Sequence, residues 1–129
     1  MKRILVVDDE SDVVEYLSTF LQDKGYQTLS ASDGEQASQS VRKEKPDLVT
    51  LDITMPNKSG VRFYREMKEN DDLKKIPIII VTGVTGFGGD PEGFNRFISS
   101  RKQVPPPEGF MAKPIDRDAL LKMVKDHIG

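Results

Sequence analysis

Asp8, Asp9, Asp52, Thr82 and Lys113 are the residues whose types and placement could do chemistry together. Asp52 closes the apolar run Leu48-Val49-Thr50-Leu51 and the chain turns at Pro56, which puts its carboxylate at the C-terminal end of a buried strand. A charge at the edge of a core is costly unless a cation or a pKa shift relieves it. Ile4-Leu5-Val6-Val7 ends the same way, on Asp8-Asp9-Glu10. If the two strands are parallel neighbours, their acidic ends share one crevice, the place where open α/β sheets take ligands. Carboxylates about 4 Å apart repel by roughly 1 to 4 kcal/mol, so the cluster calls for a divalent cation. Oxygen donors without histidine or cysteine select a hard ion, and a small set of protein ligands suits Mg2+, which keeps waters and shares its shell with phosphate. Thr82, ending the run Pro77-Ile78-Ile79-Ile80-Val81, adds a hydroxyl, and Lys113, fixed by Pro114, adds a long cation. Acids, a metal, a hydroxyl and an amine describe a site for a phosphoryl group, with Asp52 as the nucleophile that accepts it.

The elements that must position these residues alternate along the chain. Ser11 reads as an N-cap, and Val13, Val14, Leu17, Phe20 and Leu21 recur at helical spacing until Gly25. Tyr26 to Ala31 reads as a weaker strand, and Asp33-Gly34 leads into a helix over 35–44 with a thin apolar face, Ala37 and Val41. Pro56-Asn57-Lys58-Ser59-Gly60 is a turn-rich loop before Val61, Phe63, Tyr64 and Met67 at helical spacing. The isoleucine-rich run 77–82 reads as a central strand buried on both faces. Beyond it, glycines alternate with Phe87, Phe94 and Phe97, and three prolines, 105–107, precede Gly109-Phe110-Met111-Ala112-Lys113-Pro114. This predicts a loop, a helix over 91–102 and a short last strand. Asp116 then caps a final helix with Leu120, Leu121, Val124 and Ile128 inward. Five strand–helix units in alternation imply an α/β fold, a doubly wound parallel sheet with helices on both faces.

Composition excludes several function classes. The 129 residues, 36% hydrophobic, fit one domain over 1–129. Nineteen basic against 21 acidic residues leave a net charge of −2, which points to neither nucleic acid nor a membrane surface. Without cysteine there are no disulfides, no thiol catalysis and no cysteine-ligated metal. No apolar run approaches the roughly 18 residues of a membrane span, and Met1-Lys2-Arg3 leads straight into the first strand. A cytoplasmic protein is expected.

Val7-Asp8-Asp9-Glu10, Asp47 to Pro56, Val81-Thr82-Gly83 and Ala112-Lys113-Pro114 together resemble, in order and spacing, the receiver domain of two-component response regulators. The likeness spans essentially the whole chain, as in single-domain, chemotaxis-regulator-like receivers. It implies a flavodoxin-like, five-stranded parallel sheet of order 2-1-3-4-5. It implies that Asp52 takes phosphoryl from the phosphohistidine of a sensor histidine kinase or phosphotransfer protein, and that Asp8, Asp9 and Asp52 hold Mg2+ with the backbone carbonyl of Thr54. Thr82 and Lys113 would contact the phosphoryl group, and Phe110 would turn inward as the threonine moves. The partners implied are the kinase and a downstream protein target, with a homodimer among the states the resemblance allows. The chain departs from the common pattern in two ways. Phe110 lacks a hydroxyl, and the stretch between Thr82 and Lys113 is long and rich in glycine and proline, so an altered partner surface is expected there.

Other readings compete. Acids at a strand end can be mere turn formers, Lys113 a surface charge and Thr82 a β-branched strand residue; only their joint pattern favours chemistry. His127, the single histidine, falls in the last helical turn, where a cation suits the dipole. A haloacid-dehalogenase-type phosphatase also uses a strand-end aspartate and magnesium, but needs a second acid two residues on, where this chain has Thr54. A receiver-like scaffold that is never phosphorylated is a further alternative, and a flavin-binding flavodoxin-like protein shares the architecture, although the acidic crevice would repel a cofactor phosphate unless metal intervened. The expected protein is not an enzyme for outside substrates: its catalysis is confined to its own phosphorylation and dephosphorylation.

Overall fold

Apolar residues at consecutive rather than alternate positions make strands that must be covered on both sides, and the chain builds the layers to do so. The structure, a computed structural model, describes residues 2–52, 59–82, 107–112 and 115–129; for Ser59, Thr82 and Ala112 it describes the backbone alone. The strands are β1 (Arg3–Val7), β2 (Gln27–Ala31), β3 (Leu48–Leu51), β4 (Ile78–Thr82) and β5 (Gly109–Ala112). The helices, numbered among the described residues, are α1 (Ser11–Asp23), α2 (Gly34–Glu44), α3 (Ser59–Glu69) and α4 (Arg117–Ile128). The expected helix over 91–102, Phe87, Phe94 and Phe97 lie outside the described residues, as do Thr54 and Lys113. No helix among the described residues is long and apolar enough to cross a membrane.

All strand pairs are parallel and the order is β2-β1-β3-β4-β5, as the resemblance implies. Alternate side chains go to opposite layers. Leu5, Val7, Val49, Leu51, Ile78 and Ile80 pack with Ala37 and Val41 of α2 and with Val61, Phe63, Tyr64 and Met67 of α3. Ile4, Val6, Leu48, Ile79, Val81 and Met111 pack with Leu17 and Leu21 of α1 and with Leu120 and Val124 of α4. Ile78, Ile79 and Ile80 are all fully buried, which stabilises the sheet by roughly 1.5 to 3 kcal/mol for each side chain.

Local chemistry explains most boundaries. Gly25 takes φ +96 after α1, a left-handed conformation that a Cβ would strain. Asp33 caps α2 by accepting from the Gln36 N–H at 2.8 Å, and Asp116 caps α4 by accepting from the Ala119 N–H at 3.1 Å. Ser11 is not the N-cap of α1. Glu10 holds that position with extended backbone, and its carbonyl accepts the N–H groups of Val13 and Val14, so the helix begins one residue nearer the acids. Between α2 and α3, Glu66 Oε1 accepts from Ser38 Oγ and Arg42 Nη2, both at 2.5 Å. Burial pushes the Glu66 carboxyl up, but the Ser38 and Arg42 hydrogen bonds and the Arg42 charge outweigh it and hold the group below the usual glutamate range.

A depressed folded pKa contributes stability above the unfolded value and loses it as pH falls through the folded one. Glu66→Gln is therefore expected to flatten the fall in stability between about pH 5 and pH 3, read by urea denaturation across that range. Thr50 offers a second test. It is 1% exposed in the middle of β3, and its hydroxyl finds no hydrogen-bond partner among the described residues. Thr50→Val should raise unfolding free energy by about 1 kcal/mol in the same assay.

Candidate functional site

β1 and β3 lie side by side, and the ladder runs one step past their last paired residues. Val7 pairs with Leu51, the Asp52 N–H donates to the Val7 carbonyl at 2.9 Å, and the Asp8 N–H donates to the Ala31 carbonyl at 3.1 Å. The backbone therefore carries Asp8 and Asp52 off the C-terminal edge of two adjacent central strands. Both are 2% exposed, while Asp9 and Glu10 are exposed at the mouth. One carboxylate oxygen from each of Asp8, Asp9, Glu10 and Asp52 lies within 4.8 Å of all the others.

Asp8 Oδ1 accepts from the Glu10 N–H at 2.9 Å, which bends the chain out of β1 and brings the Glu10 carboxylate over the cluster. Glu10 joins the acids expected from the sequence, which did not include it as a ligand. The signal was present in the unbroken Asp8-Asp9-Glu10 run, but only the turn shows that its third side chain doubles back. All donors in the cluster are carboxylate oxygens at close range, two of them buried, a set that fits a hard divalent cation.

The fourth and fifth strands supply the other side of the crevice. Leu51 pairs with Ile80, so Asp52 stands one residue and Thr82 two residues beyond that pair on neighbouring strands. Thr82 pairs with Ala112, the residue directly before Lys113. The backbone thus brings Asp8, Asp9, Asp52 and Thr82 to one edge. Phe110 pairs with Ile80 and, partly buried, packs on the layer formed by α2 and α3. Beside the acids a groove of about 370 Å3 opens between α1 and the end of β2, lined by Asp8, Asp9, Ser11, Val14, Glu15 and Gln36 among others.

Like charges held this close repel one another. Asp8→Asn keeps an oxygen for the Glu10 N–H and removes one charge. In chelator its unfolding free energy should exceed that of the wild type by about 1 to 3 kcal/mol, and added Mg2+ should raise the thermal midpoint of the wild type more than that of the variant.

Comparison with known proteins gives the fold and sequence relatives of this chain. Residues 4–89 match the response regulator receiver domain family. The chain is 32% identical over 124 residues to protein PilH of Pseudomonas aeruginosa, covering 96% of this chain and 95% of PilH. It is 27% identical over 128 residues to the polar-differentiation response regulator DivK of Brucella anthropi, covering 99% and 97% of the two chains. Among solved structures, the signal receiver domain of a signal transduction histidine kinase from Syntrophus aciditrophicus superposes with a TM-score of 0.81 at 30% identity, covering 99% of this chain and 90% of that one. The chemotaxis protein CheY4 of Vibrio cholerae superposes with a TM-score of 0.80 at 26% identity, covering 99% of each.

Proposed function

Because the chain belongs to the response regulator receiver domain family, the phospho-accepting receivers of two-component signalling, we propose that Asp52 is the residue that takes the phosphoryl group. The observation that carries this reading is the position of the Asp52 carboxylate, 2% exposed at the end of β3 and within 4.8 Å of three other acids. The family match gives the phosphatase alternative no support.

In the proposed step an Asp52 oxygen attacks phosphorus in line, a P–O bond forms, and the P–N bond of a phosphohistidine breaks. The imidazole nitrogen leaves with the electron pair and takes up a proton. Asp8, Asp9 and Asp52, with the Thr54 carbonyl, would hold Mg2+, with Glu10 in the same acidic cluster. When bound, the ion supplies charge to offset the phosphoryl oxygens and the carboxylates together. Thr82 donates its hydroxyl to the phosphoryl oxygens, Lys113 pairs with them, and Phe110 follows the threonine inward, held there by burial since it has no hydroxyl. Receiver domains are generally signalling rather than catalytic domains, and here the chemistry is confined to the chain's own phosphorylation and dephosphorylation. The donor is a histidine kinase or phosphotransfer protein, and the readout is a protein partner that distinguishes the two charge states.

Incubation with Mg2+ and acetyl phosphate should give a single phosphoryl adduct by intact mass spectrometry. Asp52→Asn should give none, and chelator should prevent it in the wild type. An adduct that survives Asp52→Asn would assign the acceptor elsewhere, and repeated turnover of simple phosphomonoesters would restore the phosphatase reading.

A further inference from the structure

Among the described residues β5 is an edge strand with one sheet neighbour, and its four residues, Gly-Phe-Met-Ala, leave few ladder positions to fix its register. A slip of one residue would carry Phe110 out of the layer of α2 and α3 and drive Met111 into it. Yet the entry to β5 is held from three directions. The Glu108 N–H donates to the Ile78 carbonyl at 3.1 Å, and the Ile78 N–H donates back to Glu108 Oε1 at 2.7 Å, closing the β4–β5 ladder with a side chain. Lys68 of α3 donates through Nζ to both oxygens of the same carboxylate, at 2.7 and 2.8 Å. At Gly109 a Cβ would meet Ile79 Cγ1 at 3.2 Å and Met123 Sδ at 3.3 Å, so strand and helix α4 close on that point as well.

The ion pair is unusual in its burial. The Lys68 side chain is 2% exposed and that of Glu108 is 31% exposed, whereas both partners of Arg3–Glu44 are about one-third exposed. Taking an ammonium out of water costs several kcal/mol, recovered only where geometry and hydrogen bonds are good. Here the pair is bidentate, the Lys68 Nζ also lies 5.8 Å from the ring centroid of Tyr64, and burial and the Glu108 charge keep the Tyr64 phenol neutral. Glu108 and Phe110 have the same parity along the chain, so carboxylate and ring stand on one face, over α3.

We propose that Lys68 and Glu108 are positioning residues for the phosphoryl site: their ion pair ties helix α3 to the entry of β5 and so sets the register of the strand that carries Phe110 and ends directly before Lys113. This rests on the phospho-acceptor reading above. Phe110 has no hydroxyl with which to hold the strand, and the pair supplies the hold from outside the strand. The acids follow the C-terminal ends of β1 and β3, whereas the pair sits at the entry of β5, so it acts on phosphoryl contact and not on cation binding.

The test uses the full chain as wild type, Lys68→Met, Lys68→Arg and the double variant Lys68→Met/Glu108→Gln, which leaves no unpaired charge and so is expected to fold. The rate of adduct formation from acetyl phosphate at saturating Mg2+ should fall about tenfold or more in Lys68→Met and in the double variant, while Lys68→Arg keeps most of it. The Mg2+ concentration giving half of the thermal shift should not move. Amides of Phe110 to Ala112 should exchange hydrogen faster than in the wild type, relative to those of β1. A pair with a purely structural role would lower the thermal midpoint and leave the rate per folded molecule unchanged, and that result overturns the proposal. A wild type that forms no adduct overturns the phospho-acceptor reading and this role with it. A labelled wild type, with Lys68→Met and the double variant labelled at its rate, overturns the positioning role alone.

Discussion

The structure depends on mutual repulsion among carboxylates that the sheet itself forces together. Asp8 and Asp52 leave adjacent parallel strands at the same level, and each is nearly inaccessible to water. Neither can move away without breaking the ladder bonds from the Asp8 N–H to Ala31 and from the Asp52 N–H to Val7. The backbone thus sustains an electrostatic stress that a cation, or a phosphoryl group with its cation, can relieve. A site under such stress responds to charge, and response to charge is what a phospho-accepting receiver needs.

That stress is tolerable because the rest of the sheet is strongly held. Two apolar layers grip the central strands, and the fully buried isoleucines of β4 leave no polar side to the strand next to Asp52. Polar clips are placed at the periphery. Arg3 binds the Glu44 carboxylate and backbone carbonyl, Asp47 accepts the Arg3 N–H at 2.8 Å, and together they fasten the opposite end of β1 to β3. Glu66 fastens α2 to α3. These contacts are modest singly, but they define the spacing of the strands whose other ends carry the acids.

β5 stands apart from this pattern. Among the described residues it is short, at an edge, and joined to the sheet on one side, so a side chain from another element can decide its position. Lys68 and Glu108 do so from the α3 side, and the close approach at Gly109 does so from the α4 side. The strand that follows the glycine- and proline-rich stretch is thereby tied to α3 and β4 before it reaches Phe110.

Much of this was legible in the residues. Apolar runs ending in Asp8 and Asp52, Gly25 after α1, Asp116 before α4 and the isoleucine run of β4 each obey a local rule, because buried strands, left-handed turns and helix caps leave marks at fixed short spacing. The match of four short motifs in order was enough to imply the sheet order. What no local pattern could decide was which distant groups meet. Glu10 turning back over Asp8, its replacement of Ser11 at the start of α1, and the Lys68–Glu108 pair, forty residues apart, depend on how a turn bends or how a helix docks. Sequence by itself determined the described strands and helices and the acidic strand ends, since those follow from neighbours along the chain. Tertiary structure alone decided the partners of Glu10, Lys68 and Glu108, because pairing across elements is set by packing, in which separation along the sequence carries no information.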